Sequence, residues 1–125
     1  MLLVAVSLAT LILLALSAFQ VTLAAGAPFG RFAWGGASRV LPVRQRIASV
    51  ASLAIYGLMA SFPLQKAGFA TIWPASWIEP GIWIIACNLA VSIGLNAMSK
   101  SRAERLVMTP VATVLAILFF IVSLS

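Results

Sequence analysis

Hydrophobic residues make up 63% of this 125-residue chain and charged residues 8%, too few charges to cover a water-soluble domain, which is typically about a quarter charged. The length bounds the chain to a single domain, residues 1–125, and the composition makes it an integral membrane protein. The formal charge of +6 lies in short connections between apolar runs, a pattern that suits membrane orientation and anionic lipid headgroups and gives no reason to expect a nucleic-acid partner.

The first span covers about Leu2–Ala25 and ends at Gly26 and Pro28. It has no basic segment before it, and it exceeds the roughly 7–15 apolar residues of a signal-peptide core, so it reads as a retained membrane helix. The connection Gly26–Arg46 is too polar and too broken by proline and glycine to cross a membrane. It carries Arg31, Arg39, Arg44 and Arg46, with Phe29, Phe32 and Trp34 expected to dip into the headgroup region. The second span covers about Pro42–Phe62, with Pro42 suited to the first helical position. The next connection, Leu64–Ser76, holds only Lys66 among basic residues. The third span covers about Trp77–Met98 and the fourth about Arg102–Leu124, with Pro110 expected inside it as a bend. Each span is near the ~20 residues a helix needs to cross hydrocarbon. Backbone groups in hydrocarbon must bond within their own segment, and no strand-like alternation is present. The expected fold is therefore all-α, a four-helix transmembrane bundle.

Seven of the eight basic residues fall in the first and third connections: the four arginines above, then Lys100, Arg102 and Arg105. Those connections lie on one side in any four-span arrangement. The enrichment of basic residues in cytoplasmic loops puts that side in the cytoplasm and both termini outside. Trp73, Trp77 and Trp83 then form an aromatic belt at the outer interface.

Every span carries weakly polar residues at helical spacing: Ser7, Thr10, Ser17 and Gln20; Ser49, Ser52 and Tyr56; Asn88, Ser92, Asn96 and Ser99; Thr109, Thr113 and Ser123. Such stripes suit the inward faces of a bundle, with close approach and hydrogen bonding between helices. Ala86, Ala90 and Gly94 add a small-residue line on the third span, suited to another helix of the same chain or of a second copy. The expected partners are membrane lipids and a homo-oligomer or a larger membrane complex.

Gln20, Asn88 and Asn96 are the most polar groups inside the spans, and they form a candidate polar path. Gln20 and Asn96 both belong near the basic end, where they would meet beneath the first connection. Arg31, Arg39, Arg44, Arg46, Arg102, Glu104 and Arg105 form a candidate face for an anionic headgroup or an acidic partner. The two carboxylates have structural explanations. Ser101-Arg102-Ala103-Glu104 and Ser76-Trp77-Ile78-Glu79 both match a helix capping box, although Pro80 weakens the second. Glu104 is also placed to pair with Arg31 and pin the first connection onto the third. There is no histidine, only one cysteine, and neither carboxylate lies mid-span. A catalytic site, a metal site and a cofactor are therefore not expected.

Gly26-Ala-Pro-Phe-Gly-Arg-Phe-Ala-Trp-Gly-Gly36, Arg39-Val-Leu-Pro42, and Asn96 with Ser99-Lys-Ser-Arg-Ala-Glu-Arg105 and Pro110 together resemble a group of small bacterial four-helix membrane proteins. The resemblance covers most of the chain. It implies a bacterial inner-membrane setting and no particular activity. Small multidrug exporters need a carboxylate within the first span, which is absent. Fluoride channels have a different glycine, arginine and asparagine pattern and a dual topology that this charge bias opposes. Two functions follow as expectations: a non-catalytic interaction or accessory protein acting through helix packing and a basic face, or a small-solute transporter or channel with a polar path.

The orientation is open to direct measurement. In a Cys87→Ser background, single cysteines at Ser38 and Ser101 should resist an impermeant thiol reagent in whole cells, and one at Ala75 should react. Labelling of Ser38 and Ala75 positions from the same side would eliminate the four-span arrangement.

Overall fold

The computed structural model describes residues 1–125 as four antiparallel helices without strands. They are α1 (Leu2–Ala24), α2 (Val43–Lys66), α3 (Ala75–Ala97) and α4 (Arg102–Leu124). Each is long and apolar enough to cross a membrane. At 1.5 Å per residue, 23 residues extend about 34 Å, slightly more than the hydrocarbon core. Only 21 of 125 residues are buried, while Leu3, Leu11, Ile84, Leu95 and Leu106 are among many large apolar side chains left outside. Such an exterior is stable against lipid and not against water. The chain is a multi-pass membrane protein of the four-helix bundle type.

Sequential helices are neighbours around the bundle. The α3–α4 contact is the most extensive and the α2–α3 contact the least, with α1–α2 and α1–α4 between them. One end holds both termini and the α2–α3 connection; we call it the terminal end. The other holds the α1–α2 and α3–α4 connections and seven of the eight basic residues; we call it the basic end.

The apolar core fills mainly the terminal half. It joins Ala5, Val6, Ala9 and Leu13 of α1 to Ile78, Ile82, Ala86 and Leu89 of α3 and to Leu115, Phe119 and Val122 of α4. No α2 residue belongs to this buried set; Tyr56, Met59 and Phe62 pack against it from the side. The core is closed at its end by aromatic contacts. The Phe62 and Trp73 rings stack at 5.3 Å, and Trp73 stacks on Trp77 at 6.1 Å. Trp73 Nε1 donates to Ser61 Oγ at 2.8 Å. Gln65 holds the connection by accepting from Ile72 N and Trp73 N and donating to the Trp73 carbonyl at 2.7 Å. Lys66 donates to the Val122 carbonyl at 2.8 Å in the last turn of α4, where a cation suits the helix dipole, and it pairs with Glu79.

Three local features differ from the sequence-based expectation. Helix α2 continues past Phe62 to Lys66 with Pro63 inside it. A proline removes one donor and does not prevent a further turn when its ring is packed, and Pro63 is fully buried. Helix α3 begins at Ala75, capped by Pro74 without a side-chain bond, so the Ser76–Glu79 capping box does not form. Starting the helix two residues earlier puts Ser76 inside the first turn, and Glu79 pairs with Lys66 instead. Most hydroxyls of the polar stripes do not bridge helices. Thr10, Ser17, Ser52, Ser92, Thr113 and Ser123 each donate to the carbonyl four residues earlier. In an apolar medium that carbonyl is the nearest acceptor for a short hydroxyl.

Gly81 is the close contact that seats α3 on α2, because a Cβ there would collide with the Phe62 ring. Gly81→Val should therefore destabilise the protein by about 1–3 kcal/mol in thermal unfolding in detergent. Gly57→Ala, where a Cβ meets nothing within 4 Å, should be neutral or stabilising by up to about 1 kcal/mol.

Candidate functional site

The basic half of the bundle is less filled than the terminal half, and a cleft of about 330 Å3 occupies it. Its sides come from all four helices and its cover from the α1–α2 connection. The deep end is Leu89 and Leu115, where the packed core begins. Ile55 of α2 and Asn88 of α3 line it and are exposed, so it opens on the side where those two helices make least contact.

The cover is built by local chain chemistry. After α1, Gly30 and Arg39 bring two stretches of the connection together through a Gly30 N–H bond to the Arg39 carbonyl at 2.8 Å. A short 3-10 turn, Gly30–Phe32, follows, and then a reversal at Trp34–Gly36. Trp34, Gly35 and Gly36 have φ of 54°, 70° and 72°, and Gly36 N–H closes the turn on the Ala33 carbonyl at 2.9 Å. Positive φ at two central residues is the mirror-image β-turn that favours glycine. A tryptophan there costs about 1–2 kcal/mol, which contacts must offset. Trp34, Phe32 and Ala33 all line the cleft.

Two residues of α4 hold this cover. Ser101 caps α4 by accepting from Glu104 N at 3.3 Å, and its hydroxyl donates to the Arg31 carbonyl. The Glu104 carboxylate accepts from Gly35 N–H at 3.1 Å. Half of the expected capping box is thus made, and the other half is redirected across the chain. Glu104 does join the first connection to the third, but through a glycine amide; it forms no ion pair with Arg31, because the chain's one ion pair is Lys66–Glu79. A carboxylate reaching a fixed backbone N–H makes a charge-assisted bond without ordering a long arginine side chain.

The candidate polar residues share this cleft. Gln20, Asn88 and Asn96 all line it. Gln20 and Asn96 lie beneath the first connection but do not bond each other. Gln20 Nε2 donates to Tyr56 Oη at 3.2 Å, and Asn96 Nδ2 donates to the Ser92 carbonyl at 2.9 Å. Gln20 Oε1 is buried with no partner, which leaves one acceptor inside the cleft unsatisfied. Asn88 lies at the margin, exposed. Tyr56 and Trp34 were visible in the sequence only as a stripe member and an interfacial anchor; their place in the cleft depends on how α2 and the connection fold back.

The basic residues divide into two groups. Arg46 lies against Gly26 just beyond α1, and Arg105 Nη1 donates to the Ser99 carbonyl at 2.8 Å just beyond α3. Both guanidinium groups thus complement helix C-termini. Arg31, Arg39, Arg44, Lys100 and Arg102 are exposed. The other ionisable side chains are scattered: Lys66 paired with Glu79 at the terminal end, Tyr56 and Glu104 in the cleft, and Cys87 exposed on α3.

Variants separate the two holding contacts. Ser101→Ala removes both the cap and the bond to Arg31, and should cost about 1–2 kcal/mol in thermal unfolding. Glu104→Gln keeps an acceptor for Gly35 and should cost less than about 1 kcal/mol. Gly36→Ala should behave like Ser101→Ala, since its φ is +72° and its Cβ would lie 2.6 Å from Ser101 Cβ. Comparison with protein-family models, with curated proteins and with solved structures gives no match, so the cleft must be read from its own geometry.

Proposed function

We propose that the chain is a non-catalytic interaction protein of a bacterial inner membrane, its basic end in the cytoplasm, and that it acts by binding a small amphiphilic molecule in the cleft. The observation that carries this reading is the convergence of Gln20, Asn88 and Asn96 on one pocket whose far end is blocked by packed core. Thirteen of its 18 lining residues are hydrophobic, so the apolar part of a ligand is accommodated with a few polar groups to orient it. Gln20 Oε1, unpartnered, suits a ligand donor. The charge bias and the resemblance to small bacterial four-helix proteins support the setting and orientation. Ala90 and Gly94, both exposed on α3, support a second copy or a partner helix docking there, in keeping with an accessory role.

The transporter reading rests on the same polar residues. It requires a path past Ile82, Ala86 and Phe119, all fully buried, and hence separation of α3 from α4 at the bundle's most extensive contact. The two readings diverge in a simple experiment. Mild-detergent purification of the wild type should retain a small amphiphile or a stoichiometric second protein, identified by mass spectrometry. Asn96→Leu combined with Gln20→Leu should lose the small molecule while the fold persists. Solute uptake by liposomes containing only this protein, abolished by the same double change, would favour transport and overturn the binding reading.

A further inference from the structure

A second hollow, of about 460 Å3, lies between α1 and α4. All nine of its lining residues are hydrophobic. Five of them, Phe19, Phe32 and Met108 included, line the cleft as well, whereas Ile12, Ala15, Phe29 and Val107 line this one alone. Ala15, Phe29 and Val107 are exposed, so the groove is on the outside of the bundle. In a membrane such a groove meets acyl chains, and hydrocarbon by itself gives no selectivity.

The end of the groove supplies the selectivity. Phe29 and Phe32, which line it, flank Arg31, whose guanidinium carbon stands 4.8 Å from the centroid of the Phe32 ring. The Ser101 hydroxyl donates to the Arg31 carbonyl and so fixes this residue at the start of α4. Arg31 is exposed and has no carboxylate within ion-pair distance. Its cation–π contact orients the guanidinium beside the groove without neutralising it. An apolar slot ending at an oriented, unpaired guanidinium is complementary to a molecule with a hydrocarbon chain and an anionic phosphate, because the planar fork can bond two phosphate oxygens at once. Arg39, Arg44, Lys100 and Arg102 are exposed at the same end and raise the local anion concentration, but none lines the groove.

We propose that the α1–α4 groove binds one anionic phospholipid, with an acyl chain along Ile12, Ala15 and Val107 and its phosphate on Arg31. The test is retention of added lipid by the full-length protein in zwitterionic detergent, read by native mass spectrometry with phosphatidylglycerol and phosphatidylcholine as probes. The wild type should hold one phosphatidylglycerol in preference to phosphatidylcholine. Arg31→Gln should lower that retention about tenfold or more, the effect of losing a charged hydrogen-bond donor. Ala15→Phe, which fills the groove at an exposed position and leaves every charge in place, should lower it comparably. Lys100→Gln removes one positive charge from the same end and should change it less than about twofold, since exposed charges away from the groove are screened. Equal losses from Arg31→Gln and Lys100→Gln, or no loss from Ala15→Phe, would reduce the effect to diffuse attraction and overturn the site. Retention of a free fatty acid in place of the phospholipid, or a dimer that excludes lipid, would overturn it as well.

Discussion

The stacking of Trp73 on Phe62, with Phe62 against Gly81, decides where α2 and α3 meet. It pins α2 to the bundle at the terminal end, where Lys66 also reaches the last turn of α4. Away from this point α2 contributes no buried residue to the apolar core and leans mainly on α1. Core side chains fill one half of the bundle and leave the other half hollow. The cleft is thus the result of a tight closure at one end combined with thin packing along one side.

The basic end is held by a different kind of contact. One edge-on aromatic pair, Phe19 with Phe32 at 6.4 Å, joins the first connection to α1, while backbone groups carry the attachment to α4. Glu104 accepts from Gly35, and Ser101 reaches the Arg31 carbonyl. Using backbone partners leaves the arginine side chains available. Two of them complement helix C-termini, and the rest are exposed to whatever the membrane face presents. A network of ion pairs would have been poor at both tasks, because exposed pairs contribute little and would have masked the cations.

Much of the fold was legible because the bilayer makes one demand on every span: about twenty apolar residues with their backbone bonded internally. The charges of the connections likewise indicated which ends lie together. What escaped the sequence depended on individual contacts. The second span was expected to end at about Phe62, whereas the helix runs a further turn to Lys66 through the fully buried Pro63. Ser76 and Glu79 have the spacing of a cap, yet the chain starts its helix at Ala75 and Glu79 finds Lys66. Glu104 was legible as a link between connections, but its partner is a glycine amide displayed by a left-handed turn, and nothing in residue type announces that. Gln20, Asn88 and Asn96 could be singled out by polarity alone. That they line one pocket follows from the direction in which α2 leans, which no periodicity encodes.

The bond between Glu104 and Gly35 spans 69 positions of chain. Its two halves belong to different helical hairpins, α1–α2 and α3–α4, each of which is local in sequence. The N-terminal hairpin leaves the ribosome first. Without α4 the Trp34 turn lacks the Ser101 and Glu104 contacts and keeps only its own bonds, such as Gly36 N–H to the Ala33 carbonyl. Closure of the cover therefore depends on docking of the second hairpin, and the fourth helix both completes the bundle and closes its pocket.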